Sequence, residues 1–483
     1  MTPRGRKAYF AASLTSQAAA LLRYVMLARL LGPLELGFAA MLMLTSQFFE
    51  SISDTGSDRF LIQDPDGDSP VMQGFVHLVM AARGLLIAVA LMALAAPLAG
   101  VYKSSNLITA LMVLGVAPLI GGFMHLDIRR LQRHGDFWPE SVMSIVAETA
   151  GLLGTVGSAW IVRDHTAVIY GQIARALSMV LVSHVMAERP YHWAYGRIER
   201  LRFSRFAAPL FLNGILLFAG SQGDRLIVAN RVGAAALGHY SAVLLLIYYP
   251  SSALMRFING MHLPLIARSR GDPARLDEQA QRLAGRTLML AIAMAAGFTL
   301  VGPMATPLLY GRRFTQGALI FAMLACVQSA RFLRQWPTTV AVALGRSTIV
   351  MSNNLARMLA FPAALIANFY FPSLVSIVAG FLVGEIVAIL VALALLARAS
   401  AVRFRPELRR VRDYVLVSAA LIGAGWSAEY GRPLWTSLGV ATVAATLALA
   451  SWHERNVIGA AWRAGRREIS RYAARGRRVS SPS

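Results

Sequence analysis

Apolar residues run through this chain in long blocks rather than in alternation. A helical span needs roughly 20 mostly apolar residues, and stretches of that kind recur from end to end. Fourteen of them begin near Tyr9, Leu36, Phe75, Leu107, Pro139, Ala167, Phe206, Ala236, Ala284, Gly317, Ser347, Pro372, Val411 and Leu434. Spread over 483 residues, that is about 34.5 residues per span and connection, which leaves no room for a soluble domain. Backbone polar groups in a bilayer must be satisfied internally. The pattern therefore predicts an all-α polytopic membrane protein with about 14 transmembrane helices.

Composition agrees and adds a sign. The chain is 56% hydrophobic and 15% charged, with mean hydropathy +0.54; a soluble chain carries about 25% charged residues. Its net charge is +23, and of 47 Lys and Arg only Lys7 and Lys103 are lysines. Placing the N-terminus inside puts 32 basic residues on the cytoplasmic side, 6 outside and 9 within spans. Basic residues collect in cytoplasmic connections, so both termini are expected inside. Most of the charge is then topology rather than nucleic-acid binding, and no basic soluble module or aromatic stacking platform is present. The tail carries Ile458, Trp462, Ile469 and Tyr472 among arginines. It fits a basic amphipathic helix on anionic lipid, or a solvated positive-inside tail. Lone Cys326 forms no intrachain disulfide, and no metal spacing, phosphate loop or hydrolase motif occurs. No cofactor or metal is expected. A basic start and Ala18-Ala19-Ala20 also suit a cleavable leader, but the first span has a partner elsewhere in the chain.

That partner comes from a repeat. Ala28, Gly32, Leu36 and Gly37 return at an offset of 201 as Ala229, Gly233, Leu237 and Gly238. The offset is close to six spans, so both copies enter the membrane in the same direction. Two parallel six-helix lobes, residues 1–195 and 196–400, are expected in a pseudo-two-fold pair with a site at their interface. Residues 401–453 hold two extra helices and 454–483 a basic cytoplasmic tail.

Charged residues at membrane depth are costly unless paired or facing water. Nine arginines fall there: Arg23, Arg29, Arg83, Arg175, Arg225, Arg256, Arg331, Arg334 and Arg357. Glu148 and Arg175, on neighbouring antiparallel spans, lie at depths differing by about 5 Å. Arg357 and Glu385 repeat the arrangement with the signs exchanged. These pairs either staple helices or form a relay or ion-coupling site. The repeat also sets Arg23 opposite Asp224, a candidate outer-gate salt bridge; snorkelling of Arg23 to the interface is the alternative. Arg83, Arg225, Arg331, Arg334 and Arg357 outnumber their acidic partners. Unpaired guanidiniums in a water-filled cavity attract anions and suit phosphate oxygens.

Several segments resemble the bacterial polysaccharide-synthesis (oligosaccharide flippase) family of the multidrug/oligosaccharidyl-lipid/polysaccharide exporter superfamily. They are Leu31-Gly32-Pro33-Leu34-Glu35-Leu36-Gly37 with Asp54-Thr55-Gly56, and Leu131-Gln132-Arg133 through Phe137. Asp224-Arg225-Leu226-Ile227 through Gly233, Leu237-Gly238 and Tyr240 follow. Leu309-Tyr310-Gly311 with Phe314 and Ala318, then Ala343-Leu344-Gly345-Arg346, complete the series over about residues 8–400. Arg23, Ala28-Arg29 and Gly32 also look like the first span of lipid II flippases. The resemblance implies a V-shaped two-lobe fold that flips undecaprenyl-pyrophosphate-linked oligosaccharide across the bacterial inner membrane by alternating access. It implies coupling to an ion gradient (H+ or Na+), and it implies that Arg23 binds the pyrophosphate, which conflicts with a gate role. The Arg-rich tail departs from the family.

The expected function is a flippase for surface-polysaccharide synthesis, with Arg23, Arg83, Arg225, Arg331 and Arg334 as the pyrophosphate site. Asp224, Glu148, Arg175, Arg357 and Glu385 are gate or ion-pair candidates. Its expected partners are the lipid-linked glycan, membrane lipids and a glycan polymerase or export proteins. A cation-coupled antiporter would be expected to carry more cavity acids, and a membrane glycan polymerase or ligase a large external loop.

Overall fold

The computed structural model describes residues 3–400, 402 and 404–431, with isolated positions at 444, 445, 448 and 452. Every regular element among them is helical. In order they are α1 (Pro3–Leu31), α2 (Pro33–Ile52), α3 (Ser57–Gln63), α4 (Pro70–Val101), α5 (Leu107–Leu114), α6 (Val116–Gly121), α7 (Asp127–Arg133), α8 (Trp138–Val162) and α9 (Ala167–Val185). Then come α10 (Arg197–Arg231), α11 (Ala234–Arg268), α12 (Pro273–Tyr310), α13 (Ala318–Leu333), α14 (Gln335–Ala343), α15 (Ser347–Arg357), α16 (Ala360–Tyr370), α17 (Leu374–Ala399) and α18 (Phe404–Glu429).

The first thirteen expected spans each fall on helical backbone. Eight helical stretches among the described residues are long and apolar enough to cross a membrane: α4, α8 through α12, Ser347–Tyr370 and α17. The span expected from Leu434, and the basic tail with Ile458, Trp462, Ile469 and Tyr472, lie outside the described residues.

The element order repeats. The series α1, α2, α4, α5–α6, α8, α9 returns as α10, α11, α12, α13–α14, α15–α16, α17. α4 and α12 both open on a proline, Pro70 and Pro273. Its missing N–H costs nothing in the first turn, where no intrahelical acceptor exists. Arg83 and Arg286 each stand thirteen residues further on. Hydropathy alone puts Arg275, Arg282 and Arg286 in a connection. α12 is 38 residues long, about 57 Å against a hydrocarbon core of about 30 Å, so the helix itself carries these arginines ahead of its apolar stretch.

Close contacts divide the chain into two compact units. The first holds Met1–Ala253, Met304–Gln316 and Phe361–Phe381. One of its cores gathers Tyr24, Leu27, Leu36, Ala159, Ala242, Tyr310 and Phe314; another joins Phe60, Phe75, Met143 and Phe203. α8 and α9 approach so tightly that a Cβ on Gly171 would strike Thr155. α10 belongs here because it packs along α2, with Gly214 against the Ser51 carbonyl. The contact grouping therefore cuts the chain at places other than 195/196.

Two turns in this unit are built alike. Gly32 joins α1 to α2 with φ +82°, and Gly233 joins α10 to α11 with φ +104°. Both conformations favour glycine, and the two positions are 201 apart, as the repeat requires. A Cβ on Gly37 would meet the carbonyl of Ala234, and one on Gly238 would meet the carbonyl of Pro33. Pro33 and Ala234 are also 201 apart, so the two contacts are exchanged by the repeat's own symmetry.

The second unit holds Leu254–Pro303, Gly317–Ala360 and Leu382–Ser483. Its core packs Ile266, Leu288, Ala291, Leu333, Trp336, Leu396 and Tyr414. α18 lies on α13. The Tyr414 hydroxyl donates to the Cys326 carbonyl and lies 2.7 Å from Ser329 Oγ, and Glu429 accepts from the Leu319 N–H at 3.1 Å near the start of α13. Cys326 is buried beneath these contacts.

Candidate functional site

In the first unit two mid-helix arginines, Arg23 and Arg175, meet on Glu148. α8 and α9 run as antiparallel neighbours, and Arg175 Nε donates to Glu148 Oε1 at 2.8 Å. This is the pair that the depth argument placed together. α1 also packs on α8, and Arg23 Nη2 donates to the other carboxylate oxygen at 3.4 Å. One carboxylate thus holds two guanidiniums. The expected Arg23–Asp224 bridge is corrected here: packing of α1 on α8 carries Arg23 to Glu148. Asp224 instead accepts from the Tyr240 hydroxyl and the Arg225 N–H, both at 2.9 Å.

In the second unit three arginines surround one buried carboxylate. Arg357 Nη2 donates to Glu385 Oε1 at 2.9 Å, Arg331 Nε to the same oxygen at 3.1 Å, and Arg334 Nε to Oε2 at 2.9 Å. The Arg357–Glu385 pair was expected. Arg331 and Arg334 were expected to lack acidic partners, and this too is corrected. Arg334 stands between α13 and α14 with helical backbone angles, φ −59° and ψ −19°, so it shares a helix face with Arg331, three residues earlier, and both side chains reach the α17 carboxylate. Removing the carboxylate would leave three guanidiniums uncompensated in a buried setting, which is strongly destabilising.

Arg83 and Arg225, unlike Arg23, Arg331 and Arg334, meet only neutral acceptors. Arg83 donates from Nε to Ser53 Oγ and from Nη2 to the Glu50 carbonyl, both at 2.9 Å. Arg225 donates from Nη1 to Gln222 Oε1 at 3.1 Å, and its buried Nε has no partner. Arg83 lines a cavity of about 220 Å³ with Glu50, Gln172 and Arg175. Arg29 donates at 2.6 Å to each of the Leu308 and Leu309 carbonyls, closing the end of α12.

One polar cluster has no sequence counterpart. The connection 186–196 between α9 and α10 is clasped against the starts of α4 and α7. His77 Nε2 accepts from the Leu126 N–H at 3.0 Å, while Nδ1 donates to the His192 carbonyl at 3.1 Å. His125 Nδ1 accepts from the Asp127 N–H at 3.1 Å, while Nε2 donates to the Arg189 carbonyl at 3.0 Å. Each ring must accept on one nitrogen, so both are held neutral. Burial pushes the His125 pKa down, and nearby His184 adds to this. Asp127 accepts from the Glu188 N–H at 2.9 Å and from Arg130 Nε at 2.6 Å. Burial pushes its pKa up, but the Arg130 and Glu188 donors outweigh burial and hold it at about 2. His77 lies within α4 and His125 just before α7, and hydropathy alone does not bring the two together.

No group of three His, Cys, Asp or Glu suited to a metal occurs among the described residues.

A multi-pass helical membrane protein with buried arginine–carboxylate clusters and a repeated six-helix order has the fold of known exporters. Over 93% of this chain and 99% of theirs, it superposes on the lipid II flippase MurJ in an inward closed conformation with TM-score 0.64 at 12% identity. An inward-facing multidrug resistance MATE transporter gives 0.58 at 14% identity over 84% and 99%. A mutant of the MATE transporter VcmN of Vibrio cholerae gives 0.56 at 15% over 82% and 95%. The curated succinoglycan biosynthesis transport protein ExoT of Rhizobium meliloti (strain 1021) is 21% identical over 301 residues, 62% of this chain. The chain spans 60% of that relative's length. Residues 26–319 match the family described as polysaccharide biosynthesis protein, and the chain belongs to it.

Proposed function

We propose that this protein is a flippase for undecaprenyl-pyrophosphate-linked oligosaccharide, acting in surface-polysaccharide synthesis at the bacterial inner membrane. It is multi-pass with both termini cytoplasmic, and it works by alternating access between six-span halves 1–195 and 196–400. It carries out no covalent chemistry. The observation that carries this reading is the excess of guanidinium over carboxylate at membrane depth: Arg23 and Arg175 share Glu148, and Arg83 and Arg225 meet only neutral acceptors. An interior of that sign favours an anionic headgroup over a cationic drug. Family membership and the ExoT relative support the glycan assignment.

The arginine sets have different parts in this reading. Arg83, Arg225, Arg331 and Arg334 contribute positive potential toward the pyrophosphate, and Arg23 does so while bound to Glu148. Glu148–Arg175 and Glu385–Arg357 fix neighbouring helices, while Asp224 braces α10 against Tyr240. Coupling to H+ or Na+ and handover to a polymerase or export protein complete the cycle. In cells, deletion should accumulate lipid-linked glycan on the cytoplasmic leaflet, and the wild-type gene should clear it. Normal surface glycan in a deletion strain with no substituting flippase would overturn the proposal.

A further inference from the structure

We propose that the cavity bounded by α2, α4, α6 and α9 is a binding site for a phosphate or diphosphate group, lying wholly within the first unit. It rests on the flippase reading for its occupant, not for its chemistry. Its walls bring together Arg83 on α4, Gln172 and Arg175 on α9, and Glu50 on α2.

The donors on these walls are held in place yet incompletely used. Ser53 Oγ and the Glu50 carbonyl fix Arg83 through Nε and Nη2, leaving Nη1 without a hydrogen bond. Glu148 fixes Arg175 through Nε alone; the side chain is 43% exposed and both terminal nitrogens remain available. The Gln172 carbonyl oxygen accepts from Ser46 Oγ at 3.0 Å, which directs its amide N–H groups elsewhere. Guanidinium forks pre-oriented this way suit phosphate oxygens. Met80 and Met179 supply apolar wall, and Gly84 and Gly122 let α4 and α6 pack closely beside it, since a Cβ on either would strike a carbonyl of the other helix.

Size limits what enters. About 220 Å³ is less than the roughly 300–1,000 Å³ that encloses a drug-sized ligand. The charged head fits; a sugar chain or polyprenyl tail must lie outside. Arg83 stands about 20 Å along α4, near mid-membrane, so a head seated here has left the interface. Glu50 is the one carboxylate on the wall, and it opposes the anion.

The test is binding of inorganic pyrophosphate to the full chain in nanodiscs at fixed ionic strength. Arg83→Gln and Arg175→Gln should each weaken binding about tenfold or more, as expected for losing a charge-assisted contact. Gln172→Glu keeps both arginines and should weaken it too, whereas Glu50→Gln should strengthen it. Thermal unfolding identifies variants that fail to fold. Wild-type affinity in folded Arg83→Gln and Gln172→Glu overturns the inference. Displacement of pyrophosphate by a polyprenyl diphosphate supports a lipid head as occupant, and displacement by orthophosphate supports free phosphate; displacement by neither overturns the site. If wild type restores glycan export while those two variants export normally, the site falls and the flippase reading stands. If pyrophosphate binds as described but wild type restores no export, the flippase reading falls and the anion site stands.

Discussion

Gly37 and Gly238 occupy equivalent positions of the repeat and meet across its symmetry. A Cβ on Gly238 would sit 3.0 Å from the Gly37 backbone nitrogen and would strike the Pro33 carbonyl, just as one on Gly37 would strike Ala234. This contact joins the starts of α2 and α11 without any side chain. Gly37→Ala or Gly238→Ala should destabilise it by about 1–3 kcal/mol, as overpacking does. Each 1.4 kcal/mol is about tenfold in population. Thermal unfolding of each variant against wild type should show the loss; an unchanged transition would count against a tight contact here.

Removing the Glu148 carboxylate strands two guanidiniums at once. Glu148→Gln should cost about 3–5 kcal/mol, the range for breaking a buried pair from one side. Arg175→Gln should cost less, because Arg23 still neutralises Glu148 and Arg175 is partly exposed. Thermal unfolding of the two single variants and the double variant gives the coupling directly.

Glu385→Gln should be at least as damaging, since three arginines share that carboxylate. A loss of about 3–5 kcal/mol is expected, with expression falling before transport can be measured. Folding as stable as wild type would mean that other groups balance the cluster.

The histidine clasp should respond to acid in two steps. His125 is held neutral with a lowered pKa, so the folded state takes up its proton less readily than the unfolded chain. That contribution is intact above the unfolded value of about 6.5 and declines as pH falls below it. Asp127 is held at about 2, so its contribution is present above about 4 and lost between there and about 2. The other titratable and charged groups around the clasp are His77, His184, His192, Tyr191, Arg130, Glu188 and Arg189. Limited proteolysis within 186–196 should accelerate between about pH 7.5 and about pH 5. Asp127→Asn should accelerate it at neutral pH, and an insensitive cleavage rate would contradict the clasp.

The helices and the two expected ion pairs were legible because they depend on local quantities. Span length follows from hydropathy, and the depths of Glu148 and Arg175 follow from helix rise along adjacent antiparallel segments. What escaped depends on which distant helices touch. Nothing in the chain says that α1 lies on α8, so Arg23 was matched with its repeat equivalent instead of Glu148. Nor does hydropathy reveal that the face of α13 carrying Arg331 and Arg334 lies against Glu385 on α17. Short α3 and α7, and His125 beside α7, lie outside any apolar period, while His77 sits inside one without marking its partner. They are specified by hydrogen bonds to backbone carbonyls, which a residue pattern does not display.

The shared carboxylates impose an order on synthesis. Arg23 is made 125 residues before Glu148, and Arg331 is made 54 residues before Glu385. At about 5–20 residues per second, Arg23 waits roughly 6–25 s for its counter-ion and Arg331 roughly 3–11 s. During those intervals each guanidinium lacks the carboxylate that it holds in the folded protein. The contact that ties α1 to α8 through Arg23 and Glu148 can therefore form only after the fifth span has been made.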